Sequence, residues 1–152
     1  MVNFYGKEGE KNGVTVAFGG NSGLASTKLD GQSPGSVTVS LGNGFSKYYT
    51  KGYAGADAAG EQSGILMHEG QHGIDERAMG HNPGTAAEER ATEHNAWSVQ
   101  SYVSKGLGDT SVRGLWSPSW PAGSAEGMRQ SAVNRQTDET VQYWCEQGGN
   151  CQ

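Results

Sequence analysis

Apolar positions along this chain fall into two regimes. Over the first third they alternate with polar ones in short β-branched and aromatic runs: Gly13-Val-Thr-Val-Ala-Phe18, Ser36-Val-Thr-Val-Ser-Leu41, and Phe45 to Tyr49. That alternation predicts strands, and Gly19-Gly-Asn-Ser-Gly23 and Asp30-Gly-Gln-Ser-Pro-Gly35 supply turn chemistry between them. A small antiparallel sheet over residues 1–56 is the natural assembly.

From Asp57 the residues become helix formers. Asp57 serves as an N-cap, the stretch is continuous through Met79, and Gly80 stands where a helix ends. After His81-Asn-Pro-Gly84, the run Thr85-Ala-Ala-Glu88 has the form of a capping box and opens a second helix reaching about Lys105, before Gly106. Residues 57–107 therefore read as a two-helix unit. Beyond Gly108 the chain is irregular, with Trp116-Ser-Pro-Ser-Trp120 as an ordered loop packing two indoles. A third helix from about Ala125 to Trp144 completes residues 108–152.

Composition narrows the function classes. A chain of 152 residues makes one domain, 1–152, and 34% hydrophobic residues with 25 glycines imply a compact core and much loop. The net charge of -5, with no cluster of Lys and Arg, excludes nucleic acid as the expected partner. No run approaches the roughly 18 apolar residues of a membrane span. Met1 through Lys11 is polar and lacks a secretion pattern, so export would proceed as cargo, within a longer precursor, or by a route without such a peptide. Cys145 and Cys151 lie in a Gly-rich tail that either closes a small disulfide loop, implying an oxidising compartment, or holds two free thiols.

The first helix carries the chemistry. Residues 68 to 72 read His-Glu-Gly-Gln-His, and histidines four apart on a helix share a face, so both imidazoles reach one metal ion. Glu69 is rotated about 100° from His68, beside the metal rather than on it, and is the candidate general base. A catalytic zinc site needs a third protein ligand and leaves its fourth position to water. The second helix offers Glu88, Glu89, Glu93 and His94. Glu88 is committed to the capping box. Glu93 is the chosen ligand, because small Ala96 one turn on permits close helix approach. Glu89, a turn earlier on the same face, is the alternative ligand or a carboxylate orienting a histidine. Asp75 is a second candidate for orienting an imidazole, or else a solvated acid. Gly70 and Gly73 read as a smooth surface for close helix packing. His81, His94, Tyr102, Tyr143 and Arg113 are the candidate donors to a tetrahedral oxyanion.

The segment Gly64-Ile-Leu-Met-His68-Glu-Gly-Gln-His72-Gly-Ile-Asp75, followed by Thr92-Glu93-His-Asn-Ala96-Trp-Ser-Val-Gln100-Ser, resembles the metallopeptidase domains of bacterial polymorphic toxins, including Rhs-type and type VI secretion effectors. The resemblance covers about residues 60 to 107. It implies an α+β, zincin-like fold in which a small antiparallel sheet packs on the zinc helix and a second helix supplies Glu93 as third ligand. It also implies a Zn2+-dependent hydrolase, delivered from a larger secreted carrier into the periplasm or cytosol of a target cell. Its substrate would be a protein or a peptidoglycan stem peptide, with a cognate immunity protein as partner. Two other readings stand beside it: a non-catalytic binding module stabilised by zinc, and an amidase acting on a non-peptide amide.

Overall fold

In the computed structural model, which describes residues 2–19, 23–31, 33–45, 58–108 and 113–151, the chain is α+β. A helical turn α1 (Val2–Tyr5) precedes strands β1 (Val14–Phe18), β2 (Ala25–Leu29) and β3 (Val37–Leu41). The long helices α2 (Ala58–Met79), α3 (Ala86–Leu107) and α4 (Ala125–Glu146) follow.

The sheet has the order β1-β3-β2, with β1 parallel and β2 antiparallel to β3. This corrects the expected antiparallel sheet. Alternation tells which residues share a face, but two strands of the same pattern can pair in either direction. The predicted runs at 13–18 and 36–41 are β1 and β3, and an unpredicted strand, β2, lies on the outer edge of β3. Phe45, expected in a strand, belongs to a helical turn at 43–45. The rest of that run, and the N-cap residue Asp57, fall outside the described residues.

The helix boundaries follow their caps. Gly80 takes the left-handed φ of 79° that only glycine adopts without strain, and its N–H donates to Glu76 O. At the start of α3 the Glu88 N–H donates to Thr85 Oγ1 and the Thr85 N–H to Glu88 Oε2, a reciprocal capping box. Helix α3 runs through Gly106 and stops at Gly108, whose φ is 71°.

Two apolar seams hold the layers. On one side, the inward residues of β3, Val37, Val39 and Leu41, pack with Phe4, Phe45 and Ile65 of α2. Gly73 permits this approach, because a Cβ there would overlap the Phe4 ring and press on Val37. Its smooth surface serves α1 and the sheet rather than a neighbouring helix. On the other side, Trp97 of α3 packs with Leu115, Ala132 and Val133, and Trp120 closes the cluster. Trp116 and Trp120 meet edge to face at 5.6 Å, as the loop reading expects. Buried Arg129 crosses this second seam, donating to Ser101 Oγ at 2.6 Å, Tyr102 Oη at 3.0 Å and Glu126 Oε1 at 2.6 Å. Cys145 and Cys151 form a disulfide that ties down the tail. The tail in turn gives Asn150 O to the Ala86 N–H and lays Gly149 against the Trp144 indole.

Candidate metal centre

Between the apolar seams, α2 and α3 run antiparallel with a polar interface. The pairing of Gly64 with Gln100, His68 with Trp97, and His72 with Glu93 sets the register. His68 and His72, one turn apart, bring their Nε2 atoms to 3.1 Å of each other. Glu93 reaches across with Oε1 3.4 Å from His72 Nε2 and Oε2 3.6 Å from His68 Nε2. Among the described residues, His68, His72 and Glu93 are the group whose ligand atoms converge within 4.8 Å. Glu89 lies a turn earlier on α3 and is outside that convergence.

The residues fit a divalent cation. A tetrahedral ion with ligands at about 2.0–2.1 Å spaces its ligand atoms about 3.3 Å apart. The observed 3.1, 3.4 and 3.6 Å bracket that value. Glu93 Oε2 is buried without a hydrogen bond among the described residues, and a buried carboxylate oxygen in that condition is costly unless a positive charge faces it. The group could therefore hold a metal ion, with an imidazole, imidazole, carboxylate donor set suited to zinc among others.

Electrostatics divide the two histidines. Burial holds His68 well below the usual histidine range, reinforced by His72 and Arg113, while Gln100 opposes. Burial also disfavours charge on His72, but the Glu93 carboxylate outweighs it and raises that pKa to about 9. His68 packs edge-on to Trp97 at 4.3 Å, and its Nδ1 completes no hydrogen bond among the described residues.

Glu69 stands beside the triad rather than in it. Thr27 of β2 lies with its hydroxyl 2.7 Å from Glu69 Oε2 and 3.0 Å from Glu69 O. Burial raises the carboxyl's pKa, while His72 and Thr27 act against the shift. Thr27 reaches it because its partner in the ladder is inward-facing Val39, and residues directly opposite share a face of the sheet.

An open groove of about 470 Å³ runs along α2 at this point, lined by Thr27 and Lys28 of β2, by Glu76 and Glu89, and by Trp144. A smaller cavity of about 130 Å³ continues past His68 and Glu69 to Gln100 and Arg113. Of the candidate oxyanion donors, Arg113 is the one brought to the centre. Tyr102 binds Arg129, His81 pairs with Glu88, His94 faces the outer α3/α4 surface, and Tyr143 is exposed. Asp75, expected to orient an imidazole, instead accepts from Gln71 Nε2 and Asn95 Nδ2 and so pins α2 to α3. The carboxylate's helical position is right for a histidine partner, but the two amides reach it first.

Thr27, Glu76 and Trp144 were not singled out from the sequence. The strand context of Thr27, the position of Glu76 on α2 and the packing of α4 bring them to the groove. Comparison with protein-family models, curated proteins and solved structures finds no match to this chain.

Proposed function

We infer that the domain is a zinc-dependent hydrolase of peptide or amide bonds, with a zincin-like arrangement of sheet and helices. The observation that carries this reading is a buried carboxylate, Glu69, held by Thr27 beside a cage of three converging ligands among the described residues. Structural zinc sites are closed by four protein ligands, whereas hydrolytic sites keep one position open, so three ligands favour catalysis over a zinc-stabilised binding module.

His68, His72 and Glu93 would hold the ion. Bound zinc supplies a water of pKa near about 7 and a Lewis acid for the scissile carbonyl. Glu69 would serve as the base that takes a proton from that water and hands it to the leaving amine. Its raised proton affinity suits both transfers, and Thr27 keeps its Oε2 in place. Arg113 is the side chain best placed to favour a developing oxyanion.

Strand β2 supports an extended peptide as substrate over a compact amide. Asp30 N–H donates to Ser36 O, and Gly42 N–H to Leu24 O, so the even-numbered residues of β2 direct their backbone groups to β3. Those of Thr27 therefore point to the outer edge, above Glu69, where a peptide can add by backbone pairing. The likeness of residues 64–75 and 92–101 to toxin-associated metallopeptidases supports a delivered effector, with an immunity protein as its partner. The disulfide agrees with work in an oxidising compartment.

Elemental mass spectrometry of the purified protein tests the centre, and Glu69→Gln tests the chemistry. The expected results are near-stoichiometric zinc that falls in Glu93→Ala, and at least about a hundredfold loss of kcat/KM in Glu69→Gln with zinc retained. Failure of the native chain to bind zinc, even after reconstitution, would overturn the reading.

A further inference from the structure

One turn beyond the His72/Glu93 rung, the same two helices present a second rung, Glu76 on α2 and Glu89 on α3, and both line the groove. A helical turn is about 5.4 Å, close to the span of one to two residues of extended peptide. These carboxylates therefore stand about one to two extended peptide residues along the groove from the His72/Glu93 rung.

Glu76 is only 4% exposed, and its Oε2 has no hydrogen-bond partner among the described residues. A buried carboxylate oxygen left in this state awaits a donor or a cation. No Lys or Arg within 4.0 Å pairs with Glu76 or Glu89 among the described residues; the Leu29 backbone and, from the groove's rim, exposed Lys28 act on the Glu76 carboxylate but leave its Oε2 without a hydrogen bond. Trp144, steadied by Gly149, adds an aromatic surface to the same wall, and aromatic faces attract cations.

We propose that Glu76, Glu89 and Trp144 form a subsite for an ammonium or guanidinium group, so that the peptide cleaved carries a basic side chain next to or one residue from the scissile bond. The proposal rests on the peptidase reading for its substrate, and deepens it by naming the charge that the groove selects.

A degenerate peptide mixture, digested by the zinc-loaded protein and read by mass spectrometry, tests it. Cleaved bonds are expected to show at least about fivefold enrichment of Lys or Arg at one flanking position. In the double variant Glu76→Gln/Glu89→Gln, with zinc content equal to native, the enrichment should fall to about one. Enrichment that persists in the variant, or a native preference for neutral or acidic residues, overturns the subsite.

If the zinc-replete protein cleaves nothing, the peptidase reading fails, and the subsite is judged without turnover. The probe is then acetyl-Ala-Lys-Ala-amide against its norleucine counterpart, followed at the Trp144 indole N–H by NMR. A saturable shift with the lysine peptide alone, absent in the double variant, supports the cation site; equal response to both peptides overturns it. Unfolding of the double variant is checked by its melting temperature. Single Glu76→Gln and Glu89→Gln variants repeat either measurement if the double one does not fold.

Discussion

The interfaces on either side of α2 and α3 are made differently from the interface between them. Sheet against α2, and α3 against α4, are apolar seams whose central side chains, Val39, Leu115 and Val133, are fully covered. Even the polar intruder in the second, Arg129, is satisfied by Ser101, Tyr102 and Glu126. Between α2 and α3 the buried residues include His68, Glu69, Glu76, Glu93 and Gln100, and three of them carry an atom without a hydrogen bond among the described residues: His68 Nδ1, Glu76 Oε2 and Glu93 Oε2. Stability is drawn from the outer seams, and the inner one is left polar and incomplete for ligands. Buried groups that packing does not satisfy mark a functional surface.

The comparison breaks most visibly at Leu115, which is 0% exposed. Leu115→Ala should lower unfolding free energy by about 3 kcal/mol, through lost transfer energy and a residual cavity, while zinc per chain stays at the native value. Denaturant titration beside metal analysis checks both. Equal loss of zinc would show that the seams are not separable.

Gly73→Ala attacks the other apolar seam by overpacking. The added methyl meets the Phe4 ring and Val37, and the expected loss is about 2 kcal/mol, within the range for a methylene forced into a filled core. A variant as stable as native would mean that α1 moves aside at no cost.

The smallest effect sharpens the contrast through pH. Arg129 holds the exposed Glu126 carboxyl down to about 2 from its ordinary 4.5, so this stabilisation is fully present above about 4.5 and is lost as pH falls through about 2. The difference in melting temperature between native protein and Glu126→Gln should therefore be seen at pH 6 and shrink as pH falls from 4.5 towards 2. A difference constant across that window would mean that the ion pair contributes nothing.

How much of this was legible in the sequence depends on what each signal encodes. The capping box at Thr85, the helix stop at Gly80 and the spacing of His68 and His72 are local, and local geometry is what residue spacing specifies. Strand β2 escaped because its residues, Ala-Ser-Thr-Lys-Leu, show no apolar alternation; an edge strand with exposed Lys28 needs none. With β2 unseen, the contact of Thr27 with Glu69 was out of reach, since it joins residues 42 apart. The end of α3 was placed too early at Gly106, because a glycine inside a helix is penalised but not forbidden, and only Gly108 adopts the left-handed turn.

The same difference in sequence separation orders the assembly of the centre. His68, His72 and Glu93 lie within one helical hairpin, whereas Thr27 meets Glu69 across 42 residues, from a sheet separate from that hairpin. Local helical contacts form faster than non-local strand pairings. During refolding, the hairpin is therefore expected to bring His68, His72 and Glu93 together first, and Glu69 is fixed only when the edge strand arrives.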